Sequence, residues 1–126
     1  MRLHQYLAEW RGRRFEPGRA DCAQFVRAWV LGQVGVDLFK GIDYATIPAG
    51  LAILRRRGLG SHVDVVARAL TEIPVSLAHE GDVAVIDAPD GEALALIGGE
   101  HVFALNRTGL SVAPRRLAKR AFSCRF

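Results

Sequence analysis

Asp21-Cys22 stands immediately before an apolar stripe, and that placement gives the chain its clearest chemical potential. Phe25, Val26, Trp29 and Val30 recur at i, i+1, i+4 and i+5, which predicts a helix from about Cys22 to Gln33 that stops near Gly35. Asp21 then falls where an N-cap or first-turn acid belongs. A thiol at a helix N-terminus lies in the field of free N–H groups and the macrodipole, which favours the thiolate. The same N–H groups can serve as an oxyanion hole. Nucleophilic catalysis needs one more part, a histidine brought from a distant strand to take the thiol proton and return it to the leaving group. The bland reading of Cys22 is a small buried hydrophobe at a helix start.

The chain holds four histidines, His4, His62, His79 and His101. His101 is the one expected on a sheet strand, and a shift of register would be needed to carry it toward Cys22. Otherwise it is an exposed or edge-strand side chain. His79 falls in the loop before Gly81, and His4 and His62 read as surface helix residues. Glu92, beside Asp90-Gly91, reads as a solvated loop carboxylate. Asp82, after Gly81, reads as a turn former that holds the strand entry through side-chain to backbone hydrogen bonds. Two cysteines, Cys22 and Cys124, are too few for a disulfide scaffold and lack the CxxC spacing of a metal site. Two reduced thiols are favoured over a Cys22–Cys124 bridge. The remaining ligand-type residues are scattered singly, and the glycine-rich segments lack the GxxxxGK[ST] or GxGxxG context. No metal and no cofactor is expected.

Several elements must position these groups. Leu3, Tyr6, Leu7 and Trp10 predict a helix over about 2–11, closed by Gly12. Arg13 to Arg19 is a loop broken by Pro17 and Gly18. Residues 36–48 read as irregular. Two short helices are expected over 49–57 and 63–70, separated by Gly58-Leu59-Gly60-Ser61, with Ser61 and Asp64 capping the second. Arg55-Arg56-Arg57 at the end of the first suits the helix dipole without a nucleic-acid partner. The period then changes. Val83–Asp87, Ala93–Ile97, His101–Leu105 and Leu110–Ala113 read as short strands joined by Pro89-Asp90-Gly91, Gly98-Gly99 and Asn106–Gly109 turns, with a closing strand over 121–126. Helices first and a meander second argue one α+β domain over 1–126. Trp10, Phe15, Phe25 and Trp29 read as core.

Bulk composition agrees. The 126 residues are 50% hydrophobic and 24% charged, enough apolar content to bury a core. No apolar run reaches the roughly 18–20 residues of a membrane span, and the first residues lack the apolar region of a signal peptide, so synthesis in the cytoplasm is expected. The net charge of +4, carried by 15 Arg and 2 Lys, is modest. It suits a basic protein-contact surface better than nucleic-acid binding.

The stretch Phe15-Glu16-Pro17-Gly18-Arg19-Ala20-Asp21-Cys22-Ala23-Gln24-Phe25-Val26 resembles the signature of NlpC-type cysteine peptidases: an aromatic, a glycine-containing loop, a polar residue directly before Cys, then an apolar helix. It looks still more like a small phage-tail-encoded family in which Gly-Arg-x-Asp-Cys follows an aromatic. Gly35-Val36-Asp37, Gly58, Gly81-Asp82-Val83-Ala84 and Gly109-Leu110 continue the likeness over nearly the whole chain. The resemblance implies a papain-like α+β fold, with N-terminal helices packed on a C-terminal antiparallel sheet and Cys22 in the nucleophile's place. It also implies that the base histidine would open the strand after the Gly-Asp strand. That position falls on or near Ala93, with Glu92 just before it, and the third polar member falls near Ala104; both are apolar. The function implied is a structural component of a phage or prophage tail tip or baseplate, resident in the virion. Its partners would be other tail proteins, and Cys22 would be a vestigial nucleophile. The alternative is an active cysteine endopeptidase or amidase that cuts peptidoglycan stem peptides during phage DNA entry, with Cys22 as nucleophile and His101 as base.

Overall fold

A computed structural model describes residues 1–125, and in it four helices pack on one six-stranded antiparallel sheet. Phe126, the last residue of the expected closing strand, lies outside the described residues.

Helix α1 (Leu3–Trp10) turns Leu3, Tyr6, Leu7 and Trp10 inward. Helix α2 (Cys22–Val34) begins at Cys22 and ends at Gly35, whose φ of 74° lets its N–H return to the Leu31 carbonyl. Phe25, Val26 and Val30 are fully buried, and Trp29 nearly so. Tyr6, Trp10, Phe25 and Trp29 form one aromatic cluster with centroids 5.1–5.7 Å apart. The Tyr6 hydroxyl donates to the Phe25 carbonyl at 2.6 Å, so this buried polar tip is satisfied. Helix α3 (Ile47–Arg56) is capped by Thr46, with Pro48 in the first turn. Helix α4 (His62–Ala69) is tied at its start by Asp64, whose carboxylate accepts from the Gly60 and Ser61 N–H groups at 2.8 and 3.2 Å.

The strands are β1 (Thr71–Ile73), β2 (Val83–Ala88), β3 (Gly91–Gly98), β4 (His101–Asn106), β5 (Gly109–Pro114) and β6 (Arg120–Ser123), in the order β1-β6-β2-β3-β4-β5. Strands β2 to β5 are a meander with two-residue loops, and β6 returns to lie between β1 and β2. One face carries Val83, Val85, Leu94, Leu96, Leu105 and Phe122 toward the helices. The other carries Ala84, Ala95, Ala104 and Ala121 with Ile97 and Val102. Two 3-10 turns at 75–77 and 115–117 close that second face, held together by Arg115, which donates to the carbonyls of Gly99, Val75 and Ala78. Alanines opposite one another on β6, β2 and β3 leave a shallow surface that loops alone can cover. This explains why β2 and β3 read as continuous apolar runs rather than alternating ones.

Gly81-Asp82 joins the two layers. The Trp29 indole donates to the Gly81 carbonyl at 2.8 Å, and a Cβ on Gly81 would lie 3.0 Å from the Trp29 ring. The φ of 88° at Gly81 excludes other residues as well. Asp82 is 1% exposed; its carboxylate accepts from the N–H groups of His79 and Cys124 at 2.8 and 2.9 Å and from the Arg125 guanidinium at 3.1 Å. The turn former expected there thus also anchors the end of β6.

Candidate functional site: the cleft at Cys22

The loop before α2 is folded back on itself by a bridge between Glu16 and Ala20. Asp21, 3% exposed, caps the helix through Oδ1, which accepts from the Gln24 N–H at 2.8 Å. Its Oδ2 accepts from the Gly18 N–H at 2.9 Å and from the Tyr44 hydroxyl at 2.6 Å. Burial and the Asp21 carboxylate both push the Tyr44 phenol well above its usual value, so it stays a neutral donor. A Cβ on Gly18 would collide with the Tyr44 carbonyl oxygen, so the glycine is what lets the two loops meet. One carboxylate therefore fixes the helix start, the loop before it and the tyrosine beside it.

Cys22 opens into a cleft of about 270 Å³ between the N-terminus of α2, helix α3, the start of α4 and the adjoining ends of β2, β3 and β4. Its walls are largely apolar: Phe15, Phe39, Ile42, Leu54 and Leu105, with Ile47 and Leu51 of α3 partly exposed. Polar groups also line it, among them Asp21, Tyr44, His62, Glu92, Asn106 and Arg107.

The thiol is not activated in the way its helix position alone suggests. Burial pushes the Cys22 pKa up to about 11, and the Asp21 carboxylate adds to the rise. Backbone hydrogen bonds from Leu94, Ala23 and Cys22 itself lower it only in part. Cys22 and Cys124 are both free thiols, the latter buried just past the end of β6 and also raised to about 11, mainly by burial.

The histidines fall differently from expectation. His101 pairs with Gly98 at the hairpin end of β4, exposed, while the cleft is lined by Leu105 and Asn106 at the other end of the same strand. Four residues of strand put His101 roughly 13 Å from that end. The observed register, Leu96 opposite Phe103, leaves no shift that would bring it to Cys22. His4 and His79 are exposed and outside the cleft. His62, read as a surface residue, is the one imidazole lining the cleft among the described residues. Its Nε2 is buried with no hydrogen-bond partner. Burial lowers its pKa, against the opposing pull of the Glu92 backbone and of the Glu92, Asp21 and Asp64 carboxylates. The readable signal was its spacing: His62 stands four residues before the fully buried Val66, on the inward side of α4.

The strand that passes Cys22 carries Glu92, Ala93 and Leu94. Leu94 belongs to the helix-side core, so alternation places Glu92 on that side as well and aims the Ala93 side chain away, with the residue still bordering the cleft. Glu92 pairs with Lys119 at 3.1 Å and is not simply solvated. Ala104, where a third polar member was sought, belongs to the cluster on the far face of the sheet; Leu105 is the residue that reaches the cleft. Among the described residues no group of three or more His, Cys, Asp or Glu side chains could hold a metal.

Known proteins share this architecture. The NlpC/p60 domain of the peptidoglycan hydrolase SagA, a solved crystal structure, superposes with a TM-score of 0.60 at 21% identity, over 95% of this chain and 94% of that one. At that identity the likeness is one of fold: α+β, helices packed on an antiparallel sheet, the NlpC/p60 arrangement. No curated protein matches the sequence. The profile of a domain of unknown function, DUF6950, matches residues 1–124, and the chain belongs to that family.

Proposed function

We propose that the chain is a structural component of a bacteriophage or prophage tail tip, in its baseplate region, built on the NlpC/p60-type fold with a cysteine that no longer hydrolyses. The observation that carries the loss of hydrolysis is the strand that passes Cys22, and the burial that raises the thiol's pKa adds to it. The strand beside it offers Glu92, Ala93 and Leu94 where a base would stand. No imidazole stands there, and the strand's one carboxylate, Glu92, is paired with Lys119, so the strand presents no free base to take the thiol proton and return it to a leaving amine. The tail assignment is supported by the Gly-Arg-x-Asp-Cys pattern after Phe15 and by Gly81-Asp82 at the head of the sheet. In this reading the chain resides in the virion, and its partners are other tail proteins.

The fold neighbour comes from a peptidoglycan hydrolase, so peptidoglycan is the substrate to test first. Purified sacculi and muropeptides incubated with the wild-type chain and with Cys22→Ala are expected to yield no stem-peptide fragments in either case. Fragments that depend on Cys22 would contradict the reading. Mass spectrometry of tails purified from an induced host is expected to find the chain; its absence from mature tails would remove the tail assignment.

One observation favours a second reading, an active cysteine endopeptidase or amidase acting on stem peptides. His62 shares the cleft with Cys22, and its Nε2 lacks a partner. There His62, arriving from α4, takes the role first sought in His101. Cleavage lost in both Cys22→Ala and His62→Ala would establish it.

A further inference from the structure

We propose that strand β5 is a docking edge for an extended, acidic-flanked segment of another polypeptide, which joins the six-stranded sheet as a further strand beside Leu110 to Pro114. The inference goes beyond the tail reading. No residue of β5 lines the Cys22 cleft, and the edge is the same whatever that thiol does.

The sheet has two edges, and they differ. Strand β1 is three residues long, is followed by Pro74, and carries Glu72 held by Arg120 at 2.8 Å; such an edge is blunted. Strand β5 has six residues, none of them charged, and its only proline is the last. Asn106 and Gly109 close a two-residue loop, so the ladder bonds to β4 are exchanged at Asn106–Gly109, Ala104–Ser111 and Val102–Ala113. The Arg115 N–H, donating to the Glu100 carbonyl at 2.8 Å, continues that alternation. Leu110, Val112 and Pro114 therefore turn their backbone groups outward. Among the described residues these groups meet no other part of the chain, which leaves two N–H donors and three carbonyl acceptors in line at strand spacing. Val112 stands opposite Phe103, and Leu110 opposite Leu105, so both side chains lie on the helix-side face. Leu110 packs against the core there, but Val112 is 59% exposed. Side chains of an added strand on that face would flank Val112 and cover it.

Charge selects the occupant. At the Gly109 end stands the loop after α1: a Cβ on Gly109 would lie 3.8 Å from the Arg13 carbonyl oxygen, and the Arg13 and Arg14 side chains are exposed. At the Pro114 end stand Arg115 and Arg116, with the single carboxylate of Glu100 in the same shallow hollow. Among the described residues none of these four arginines forms an ion pair. A second copy paired antiparallel through β5 would set the Gly109 end of each chain beside the Pro114 end of the other, cation against cation. A second copy offering β1 would present three residues and then a proline. A segment with carboxylates on both sides of a short alternating core meets both arginine pairs while its backbone takes up the outward N–H and C=O groups.

The test titrates the full chain with two capped peptides that share a Val-Thr-Val-Thr-Val core, one flanked by two glutamates at each end and the other by two lysines. Binding is read from amide proton–nitrogen correlation spectra and amide exchange. The expected result is a saturable shift and slowed exchange of the Leu110 and Val112 amides with the glutamate-flanked peptide, weakening as salt rises from about 50 to 300 mM. The lysine-flanked peptide should not saturate. Val112→Pro removes an outward N–H and leaves the β4–β5 ladder whole, so affinity read at the Leu110 amide should fall about tenfold or more. Arg116→Glu, at an exposed position, should weaken binding about three- to tenfold, and it decides the matter if Val112→Pro unfolds. Equal binding of the two peptides, or no saturable shift up to the solubility limit, would overturn the proposal. So would a free chain that is already dimeric with its Leu110 and Val112 amides protected, since the occupant would then be a second copy.

Discussion

Asp21 holds three donors at once, from Gly18, Gln24 and Tyr44, and is almost wholly buried. Asp21→Ala removes a helix cap and leaves a half-buried phenol without its acceptor, so a loss of about 2 kcal/mol in urea denaturation is expected. A loss under about 0.5 kcal/mol would show that the carboxylate is not the anchor described. His62 carries a pH signature of its own. Burial holds its folded-state pKa below the unfolded value of about 6.5. The unfolded chain therefore takes up a proton near that pH which the folded chain resists. The contribution of the neutral ring is full above about pH 6.5 and is lost as the pH falls through the folded pKa. Denaturation at about pH 7.5 and pH 5.5 should show the wild type losing more stability on acidification than His62→Phe; equal losses would mean that the ring is solvated. The position of Cys22 at a helix start was legible, because Asp21 and the apolar stripe mark it. Its raised pKa was not, because the walls that desolvate it come from Phe39, Leu54 and Leu105, which are remote in sequence.

Helix α2 and strands β2 to β5 show in the sequence as periodicities bounded by glycine and proline, and they fold within a residue or two of where those patterns put them; β3 departs most, beginning two residues early at Gly91. Strand β1 was not legible: Thr71-Glu72-Ile73 is too short to alternate, and its pairing with β6 is a long-range event. The register of β4 was not legible either, and it is what removes His101 from the site and puts Leu105 there. Gly81-Asp82 is the hinge of these elements. Asp82→Ala would leave the His79 and Cys124 N–H groups without their acceptor and release Arg125. A cost of about 2–4 kcal/mol is expected by thermal or urea unfolding, with amide exchange in β6 rising more than in β4. Uniform exchange across the sheet would contradict a local anchor.

At the scale of the molecule, the helices and one sheet face make the main core, and a row of alanines closes the other face with two short turns. The papain-like arrangement was legible because the motif residues, Asp21-Cys22 and Gly81-Asp82, occupy the joints of the fold. The cleft was not, since α3, α4 and three strand ends must assemble before it exists. No helix among the described residues is long and apolar enough to cross a membrane. The central claim is that this arrangement persists around a thiol held in its neutral form. Its most direct test is the rate of iodoacetamide alkylation of Cys22 against pH, measured with Cys124 replaced by Ser. The account predicts a rate at pH 7.5 about a few hundredfold below that of a free thiol, still rising through pH 10 toward an inflection at about 11. A plateau of high reactivity near neutral pH, lost in His62→Ala, would contradict it and establish a working cysteine–histidine pair.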